Sequence, residues 1–512
     1  MITNLLNKDI IIEELEEEKQ PFLLNEKVEI EFTPVWCTIT SNNKPELHEY
    51  LYENLSYRPE GYFFSPKYQE GVWDGYNRLY KGNTKRFRAG LLTRVTELLE
   101  EARCKVKVRD FPKRNGIELK KKIYKNAKNE DIESRVYQRE AARSALYYRY
   151  GIIQAPPRAG KSLISVIVID NEEQFPVNFF VRSKDLAYQT LEVFKNNFLD
   201  KSIGFICDGI CEIGDINIIT IQSAYSAYNK KYKEKGLAPE KEVVNKLAVK
   251  KLIRDTKVVF YDEVHHSSSK TSKFLLDKAT NSDMKIGLSA TPFSDKADSI
   301  LVEEAIGSVI YQISYSELIK QGYLMKPYIY MYKLPKMDIE GTYRAIYKKA
   351  VIENEFLNDL LNGLIEKLIS KNKSVVIQTE FVKHSKDLAK RFNCEYLTGS
   401  DPTEKRKEVI EALKNKEILC LVSTLFEEGL DLPSLDYTVN LAGGLSNIST
   451  FQRMRSITAH ESKTSVGIID FIHQCKYLKK HSKKRLNLYS SEPEFIVEIR
   501  DVSKKSIQEI FS

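Results

Sequence analysis

No apolar run in the sequence approaches the ~20 residues that a membrane-spanning helix requires, and the opening Met1-Ile2-Thr3-Asn4 has no basic stretch leading into an apolar one. Neither a membrane span nor a secretory signal is therefore expected. Cysteine is scarce and odd in number, at 7, and only Cys207 and Cys211 lie close together. Their spacing fits no metal-ligand pair followed by a second pair, so reduced thiols in a cytosolic compartment are the expectation. Internal repeats with a period of roughly 20–50 residues and low-complexity segments are also missing. Charge of one sign is not in large excess: 79 Lys and Arg against 71 acidic residues leave +8, a weak pull on a polyanionic partner. What is present is globular. Hydrophobic residues make up 42% of the 512 and charged residues 29%, enough apolar material for several cores and too much for wholesale disorder. At roughly 150 residues per domain, three domains are expected.

The texture of the chain divides it. An acidic run, Glu13-Glu14-Leu15-Glu16-Glu17-Glu18, reads as a solvated segment. Alternating segments, Val28-Glu29-Ile30-Glu31-Phe32 and Cys104-Lys105-Val106-Lys107-Val108, then bracket an amphipathic stretch from Leu91 to Glu101. Between them Tyr57 to Arg88 is dense in aromatics and bases. This is the pattern of a small α+β domain with a basic connector, spanning 1–128. From Arg135 onward, short apolar β-branched runs such as Val258-Val259-Phe260-Tyr261 alternate with helical-period stretches. Strands buried on both faces with crossover helices signal doubly wound parallel sheets. The rhythm pauses near Pro327 to Gly341 and resumes with Val375-Val376-Ile377 and Val466-Gly467-Ile468-Ile469. Two tandem α/β domains are expected, over 129–330 and 331–512.

The strongest motif is Ala155-Pro156-Pro157-Arg158-Ala159-Gly160-Lys161-Ser162, after an apolar strand and before a helical run. It matches the phosphate-binding loop of nucleoside triphosphatases, save that Ala155 stands for the first glycine. In such a loop backbone N–H groups wrap the phosphates of ATP, Lys161 bridges the β- and γ-phosphates, and the Ser162 hydroxyl meets Mg²⁺. We expect Gly160 to be required because no Cβ fits where backbone meets phosphate. The bland alternative is an ordinary strand–helix turn. Further on, Tyr261-Asp262-Glu263-Val264-His265-His266 follows a buried strand. Asp262 suits the metal through water, and Glu263 suits a base that orients and deprotonates the attacking water. No third ligand is spaced to make a zinc site of His265 and His266.

Together with Ser289-Ala290-Thr291, these segments resemble motifs I, II and III of superfamily 2 helicases of the DExH type. The resemblance extends from about Glu133 to His473, with the motifs in order. It implies two RecA-like domains. Arg135-Val136-Tyr137-Gln138 is similar to the adenine-reading element, which implies that Arg135 and Gln138 bind nucleotide. Ser183-Lys184 and Gln222-Ser223 are similar to strand-contacting motifs of the first domain. In the second domain Thr379, Thr398 and Thr424 fall on nucleic-acid motifs, and Gly429 and Asp431 on motif V, which also touches ribose. The segment Phe451-Gln452-Arg453-Met454-Arg455-Ser456-Ile457-Thr458 departs from motif VI. Arg455 falls on the first arginine finger, but Met454 replaces the glycine and Thr458 the second arginine. Either Arg455 suffices, helped by Arg453, or turnover is slow, since a finger is worth ~10³–10⁵ in rate.

Gly71-Val72-Trp73-Asp74-Gly75-Tyr76-Asn77-Arg78 followed by Gly90-Leu91-Leu92 resembles the small domain of bacteriophage UvsW-type branch-migration helicases. That resemblance implies an ATP- and Mg²⁺-dependent motor on branched DNA (Holliday junctions, forks) in recombination, repair and replication. It would act as a monomer on DNA, in the host cytoplasm if viral. Asp74-Gly75 reads independently as a tight hairpin turn. Trp73, Tyr62 and Phe63 are expected in the small core, and Arg78, Arg86 and Arg88 at phosphates. Lysines 230, 231, 233 and 235 and the cluster from Lys476 to Arg485 are either solvated faces or further phosphate contacts. Two rival readings stand: an RNA-remodelling ATPase of the same superfamily, and a structural DNA-binding protein with a decayed ATPase.

Overall fold

A computed structural model describes residues 25–41, 44–59, 61–114, 116–228, 240–290, 296–425, 435–443 and 465–511. The acidic run at Glu13–Glu18 and the lysines 230–235 lie outside the described residues. The chain separates into two compact units, Met1–Phe111 and Pro112–Ser512. No helix among the described residues is long and apolar enough to cross a membrane.

The first unit is the α+β domain. Alternation puts Val28, Ile30 and Phe32 on the buried face of strand Lys27–Phe32 and leaves the glutamates outward. That strand pairs antiparallel with Trp36–Ile39 and parallel with Lys105–Arg109, and Arg86–Arg88 completes a sheet of four. Helix Leu92–Glu101 packs on it through Leu92, Val95 and Leu99, one face of a 3.6-residue period. The aromatic segment differs from expectation. Strands Ser56–Tyr57 and Asn77–Arg78 pair, but the connection between them holds a 3₁₀ turn and a short helix rather than a tight hairpin. Asp74 Oδ1 accepts from Tyr76 N at 3.0 Å, an Asx turn, and Gly75 has φ +86° with Tyr62 packed where a Cβ would lie. Trp73 and Tyr62 are half-buried, and Phe63 is 51% exposed. None of the three belongs to the core, which is formed by sheet and helix instead.

The second unit holds both α/β domains. The first sheet has eight strands in the order Ile210–Glu212, Ile203–Cys207, Ile216–Thr220, Val177–Val181, Val258–Asp262, Met284–Ser289, Tyr150–Gln154, Val309–Gln312. All neighbours are parallel except the first pair. The second has seven parallel strands, in the order Glu395–Leu397, Cys420–Ser423, Val375–Gln378, Tyr437–Asn440, Ser465–Gln474, Lys326–Lys336, Ile496–Asp501. The central strands are buried throughout, as the unbroken apolar runs require.

Two boundaries move. Strand Lys326–Lys336 belongs wholly to the second sheet, so the division falls before it and not at 330/331. The basic connector is also part of the motor. Hairpin Ile123–Lys125/Asp131–Glu133 buries Tyr124 in the first α/β core, and Lys125 N donates to Asn197 Oδ1 at 2.8 Å. Lysine-rich composition hid a segment anchored by one buried ring, Tyr124, while its neighbour Ile123 stays exposed.

Candidate active site

The carboxyl ends of parallel strands leave a crevice where loops can meet a ligand. Three such ends lie side by side here: Gln154 pairs in register with Ser289, and Leu288 with Asp262. The phosphate loop, the serine and the acidic pair thus share one sheet edge. Ala155 N donates to Ser289 O at 2.9 Å, and Lys161 Nζ donates to Ala155 O at 3.3 Å. The left-handed positions of the loop are Arg158 (φ +72°) and Gly160 (φ +76°), not Ala155. An alanine at the first position is therefore free of strain, which accounts for that departure from the motif.

Gly160 is required by its protein surroundings alone. A Cβ there would lie 2.4 Å from Gln138 Nε2, in addition to the left-handed φ. Gln138 is buried and clasps the loop: its Nε2 donates to Ala159 O at 2.9 Å while its Oε1 accepts from Arg135 N at 2.9 Å. Tyr137, which sequence reasoning passed over, donates its hydroxyl to the same Ala159 carbonyl at 2.7 Å. Residues 135–138 and the phosphate loop are thereby one mechanical piece. Arg135 stacks on the Tyr323 ring at 4.1 Å. Beside it opens a cavity of about 370 Å³ lined by Glu133, Arg135, Gln138, Arg158, Gly160 and Leu163.

Glu263 sits at φ +51°, ψ +58°, a left-handed conformation uncommon for a residue with a side chain. Its Oε2 is buried and makes no hydrogen bond, 3.5 Å from His265 Nδ1. That contact is not an ion pair. Burial, with the nearby Arg182 and Lys161 cations, pushes His265 down to about 4, so the ring is neutral at pH 7. His265 Nδ1 also lies 3.3 Å from Ser289 Oγ, joining motif II to motif III. Asp262 Oδ1 accepts from Glu263 N at 2.9 Å. An unsatisfied carboxylate oxygen, a left-handed loop and an adjoining cavity fit a nucleotide with a divalent cation. Ser162 and Asp262 would hold such a cation, supplying a hydroxyl and a carboxylate.

The strand-contacting candidates gather at the same edges, with unequal exposure. Ser183 Oγ caps helix Lys184–Asn197 by accepting from Leu186 N at 3.3 Å, and Lys184 pairs with Asp208. Thr220 donates to Ser223 Oγ at 2.8 Å, while Gln222 is exposed. In the second domain Thr379, Thr398 and Thr424 follow three adjacent parallel strands. Thr379 and Thr398 are 4% and 2% exposed, with hydroxyls bonded to Ser385 (2.5 Å) and Asp401 (2.8 Å). Their side chains brace the loops from inside and do not face a ligand. Thr424 is half-buried. Thr291, Gly429, Asp431, Arg453, Arg455 and Thr458 lie outside the described residues.

Of the arginines assigned to phosphates in the small domain, Arg78 donates to Asp74 Oδ1 at 2.7 Å and stacks near Tyr52 and Tyr76. Arg88 lies over the Trp36 ring at 3.9 Å. Arg86 alone of the three is exposed. Arg485 is not a surface cation at all. It is 5% exposed and bidentate on Asp470, Nε to Oδ2 and Nη2 to Oδ1 at 2.8 Å each. The signal for this was a lone aspartate inside the apolar run Ile468-Ile469-Asp470-Phe471-Ile472.

Tandem doubly wound domains with a phosphate loop and an acidic pair on one sheet edge define the class of nucleoside-triphosphate-driven motors. Residues 131–294 match the family described as type III restriction enzyme, res subunit, and residues 354–456 match the helicase conserved C-terminal domain. The chain belongs to the superfamily 2 helicases, ATP-dependent enzymes with two RecA-like domains. It is similar to the protein designated helicase 22 of Sulfolobus islandicus filamentous virus (isolate Iceland/Hveragerdi), 28% identical over 379 residues. That match covers 68% of this chain and 65% of the relative, so the chain spans just under two thirds of its length. It is also similar to the ATP-dependent DNA helicase uvsW of Enterobacteria phage T4, 24% identical over 497 residues, covering 87% of this chain and 93% of the relative. Among solved structures, the ATP-dependent Type ISP restriction-modification enzyme LlaBIII bound to DNA superposes with a TM-score of 0.52 at 15% identity. The superposition covers 73% of this chain and 32% of that one, and shows the motor fold.

Proposed function

We propose that this chain is an ATP-driven DNA helicase and translocase that remodels branched DNA, such as Holliday junctions and forks. The observation that carries the motor reading is the unpaired, buried Glu263 Oε2 beside the phosphate loop, on the edge where strand-contacting loops also end. In this reading Glu263 orients and deprotonates the attacking water, Lys161 holds the β- and γ-phosphates, and Arg135 and Gln138 hold the base. Ser162 and Asp262 hold Mg²⁺, which supplies positive charge at the phosphates when bound. Arg455 is assigned to the γ-phosphate from across the cleft, and Gly429 and Asp431 to the ribose. DNA as the track is supported by the similarity to the DNA helicase of phage T4. Branched DNA is supported by the small domain. Phe63, Phe64 and Val72 are 51%, 74% and 74% exposed, and the exposed Arg58 lies over the adjacent Tyr62 ring at 4.9 Å, an apolar tip with a cation next to it. Branch migration also asks little net work of a motor: each step breaks and re-forms similar base pairs, each stack worth ~1.4 kcal/mol.

The test is the ATPase rate with a four-way junction, a matched linear duplex and RNA as activators. The junction is expected to stimulate most. Equal stimulation by junction and duplex would remove the branched reading, and preference for RNA would replace the DNA one. No nucleic-acid-stimulated hydrolysis at all would favour a binding protein with a decayed ATPase.

A further inference from the structure

We propose that a cleft beside helix Leu478–Ser490 of the second domain seats a single DNA strand outside the nucleotide site. The inference rests on DNA being the motor's track. Lys479, Lys480 and Lys483 lie on one face of this helix and Lys476 just precedes it, all four exposed and with no ion pair among the described residues. They line a cleft of about 920 Å³ whose other wall brings Lys336, making five lysines against the two carboxylates of Asp338 and Glu340. Lys479 to Lys483 span about 6 Å along the helix, a length over which one DNA strand presents about two phosphates.

The second observation is Tyr477, which lies in the same cleft, 41% exposed. It has φ +62° and ψ −58°, in a γ-turn closed by Leu478 N donating to Lys476 O at 2.8 Å. This turn is strained for any residue with a side chain, and such strain persists where the surroundings impose it. A glycine would take this backbone without strain; the sequence has an aromatic ring there, between cations. Basic groove plus exposed ring is how single strands are held, phosphates on lysines and a base on the ring. The packing beneath explains how the helix is kept in place: Arg485 and Tyr489, on the opposite face, bond the buried Asp470 carboxylate.

The cleft also reaches the motor. The Tyr477 ring meets that of Tyr343 at 6.4 Å and 77°, and the Tyr343 hydroxyl donates to Glu380 Oε2 at 2.8 Å. The same oxygen accepts from Gly443 N at 3.2 Å, the residue that enters the segment carrying Arg455. A strand seated on Tyr477 therefore bears, through two side chains, on the chain leading to the arginine finger.

The experiment is fluorescence anisotropy of the full chain with a fluorescein-labelled oligothymidylate of about 16 nucleotides, titrated at several salt concentrations. Lys479→Gln, Lys480→Gln and Lys483→Gln combined should lower the log–log salt slope by about 0.7 per lysine, about 2 in all. Tyr477→Gly should weaken binding roughly 5- to 150-fold, the share of one stacked base, and Tyr477→Phe should retain wild-type affinity. Circular dichroism reports folding for each variant, and the glutamine variant keeps the helix. A folded triple variant with the wild-type slope, or a Tyr477→Gly chain with wild-type affinity, overturns the proposal while leaving the DNA motor standing. Wild-type protein that binds neither this oligonucleotide nor a junction overturns the DNA reading itself.

Discussion

At the residue scale the site is a set of side chains whose own bonds prepare them. Glu263 is held in a left-handed backbone with one buried oxygen left unbonded, and its neighbour His265 is kept neutral by burial and by Arg182 and Lys161. A neutral ring leaves the carboxylate charge available to the reaction. Glu263→Gln should therefore reduce DNA-stimulated hydrolysis by ~10²-fold or more, because loss of a general base costs that much. Lys161→Ala should do the same by removing the cation at the phosphates. Both variants should bind a junction as the wild type does. Steady-state ATPase and anisotropy on the same preparations check this, and a Glu263→Gln enzyme with more than about a tenth of normal turnover would remove the base assignment.

At the scale of elements, the most consequential contact joins a strand to a helix. Strand Ser465–Gln474 carries Asp470 into the interior, where Arg485 and Tyr489 of the following helix and Asn440 of the neighbouring strand all bond its carboxylate. Burial alone would raise the Asp470 pKa; the guanidinium and the other donors outweigh it and hold the carboxyl below its ordinary value. Taking one partner away strands a buried charge. Asp470→Ala should cost about 3–5 kcal/mol, read as a lower urea midpoint at constant slope. Adding Arg485→Met to Asp470→Ala should recover most of the loss, since an apolar replacement of the whole pair is close to neutral. If the double variant is no more stable than the single, the pair is not the source of the effect.

At the scale of the whole molecule, two predictions concern where the chain can be cut and how it responds to acid. Arg114 Nη1 donates to Asn171 O at 2.8 Å, Lys120 N donates to Asn171 Oδ1 at 2.9 Å, and Tyr124 lies in the motor core. Deleting residues 1–111 should leave a folded motor with some ATPase but without junction preference. Deleting 1–128 removes those contacts and one strand of a hairpin, and should lower the thermal midpoint by several degrees relative to the shorter deletion. Equal midpoints for the two truncations would assign the 112–128 segment to the linker after all. As for acid, burial pushes His265, His266, His384 and His473 down to about 4. An unfolded histidine titrates near 6.5, so between pH 6.5 and 4 the unfolded chain holds protons that the folded one refuses. The histidine contribution to stability is full above about pH 6.5 and declines steadily toward pH 4. Urea midpoints should accordingly be flat from about pH 7 to 8 and fall below about 6.5; a midpoint unchanged at pH 5 would mean these rings are protonated in the fold.

What the sequence determined by itself is whatever depends on local order. Two doubly wound domains follow from runs such as Val258–Tyr261, buried on both faces, and the phosphate loop and acidic pair follow from their places at strand ends. These signals are contiguous, so a single pass along the chain reads them. Only the tertiary structure decided that Arg485 turns inward to Asp470 while Lys476, Lys479, Lys480 and Lys483 face a cleft. A run of bases has the same composition whichever way its helix is rolled, and the roll is fixed by an aspartate on a different element. The same holds for Thr379 and Thr398, which end strands as expected yet point into the domain because Ser385 and Asp401 bond them there. It holds for Phe63 as well: its hydrophobicity suggested a core, but helix Leu92–Glu101 already covers the sheet and leaves the ring in solvent. Hydrophobicity and charge set how much a residue gains from burial, and which residues are buried depends on partners distant in sequence.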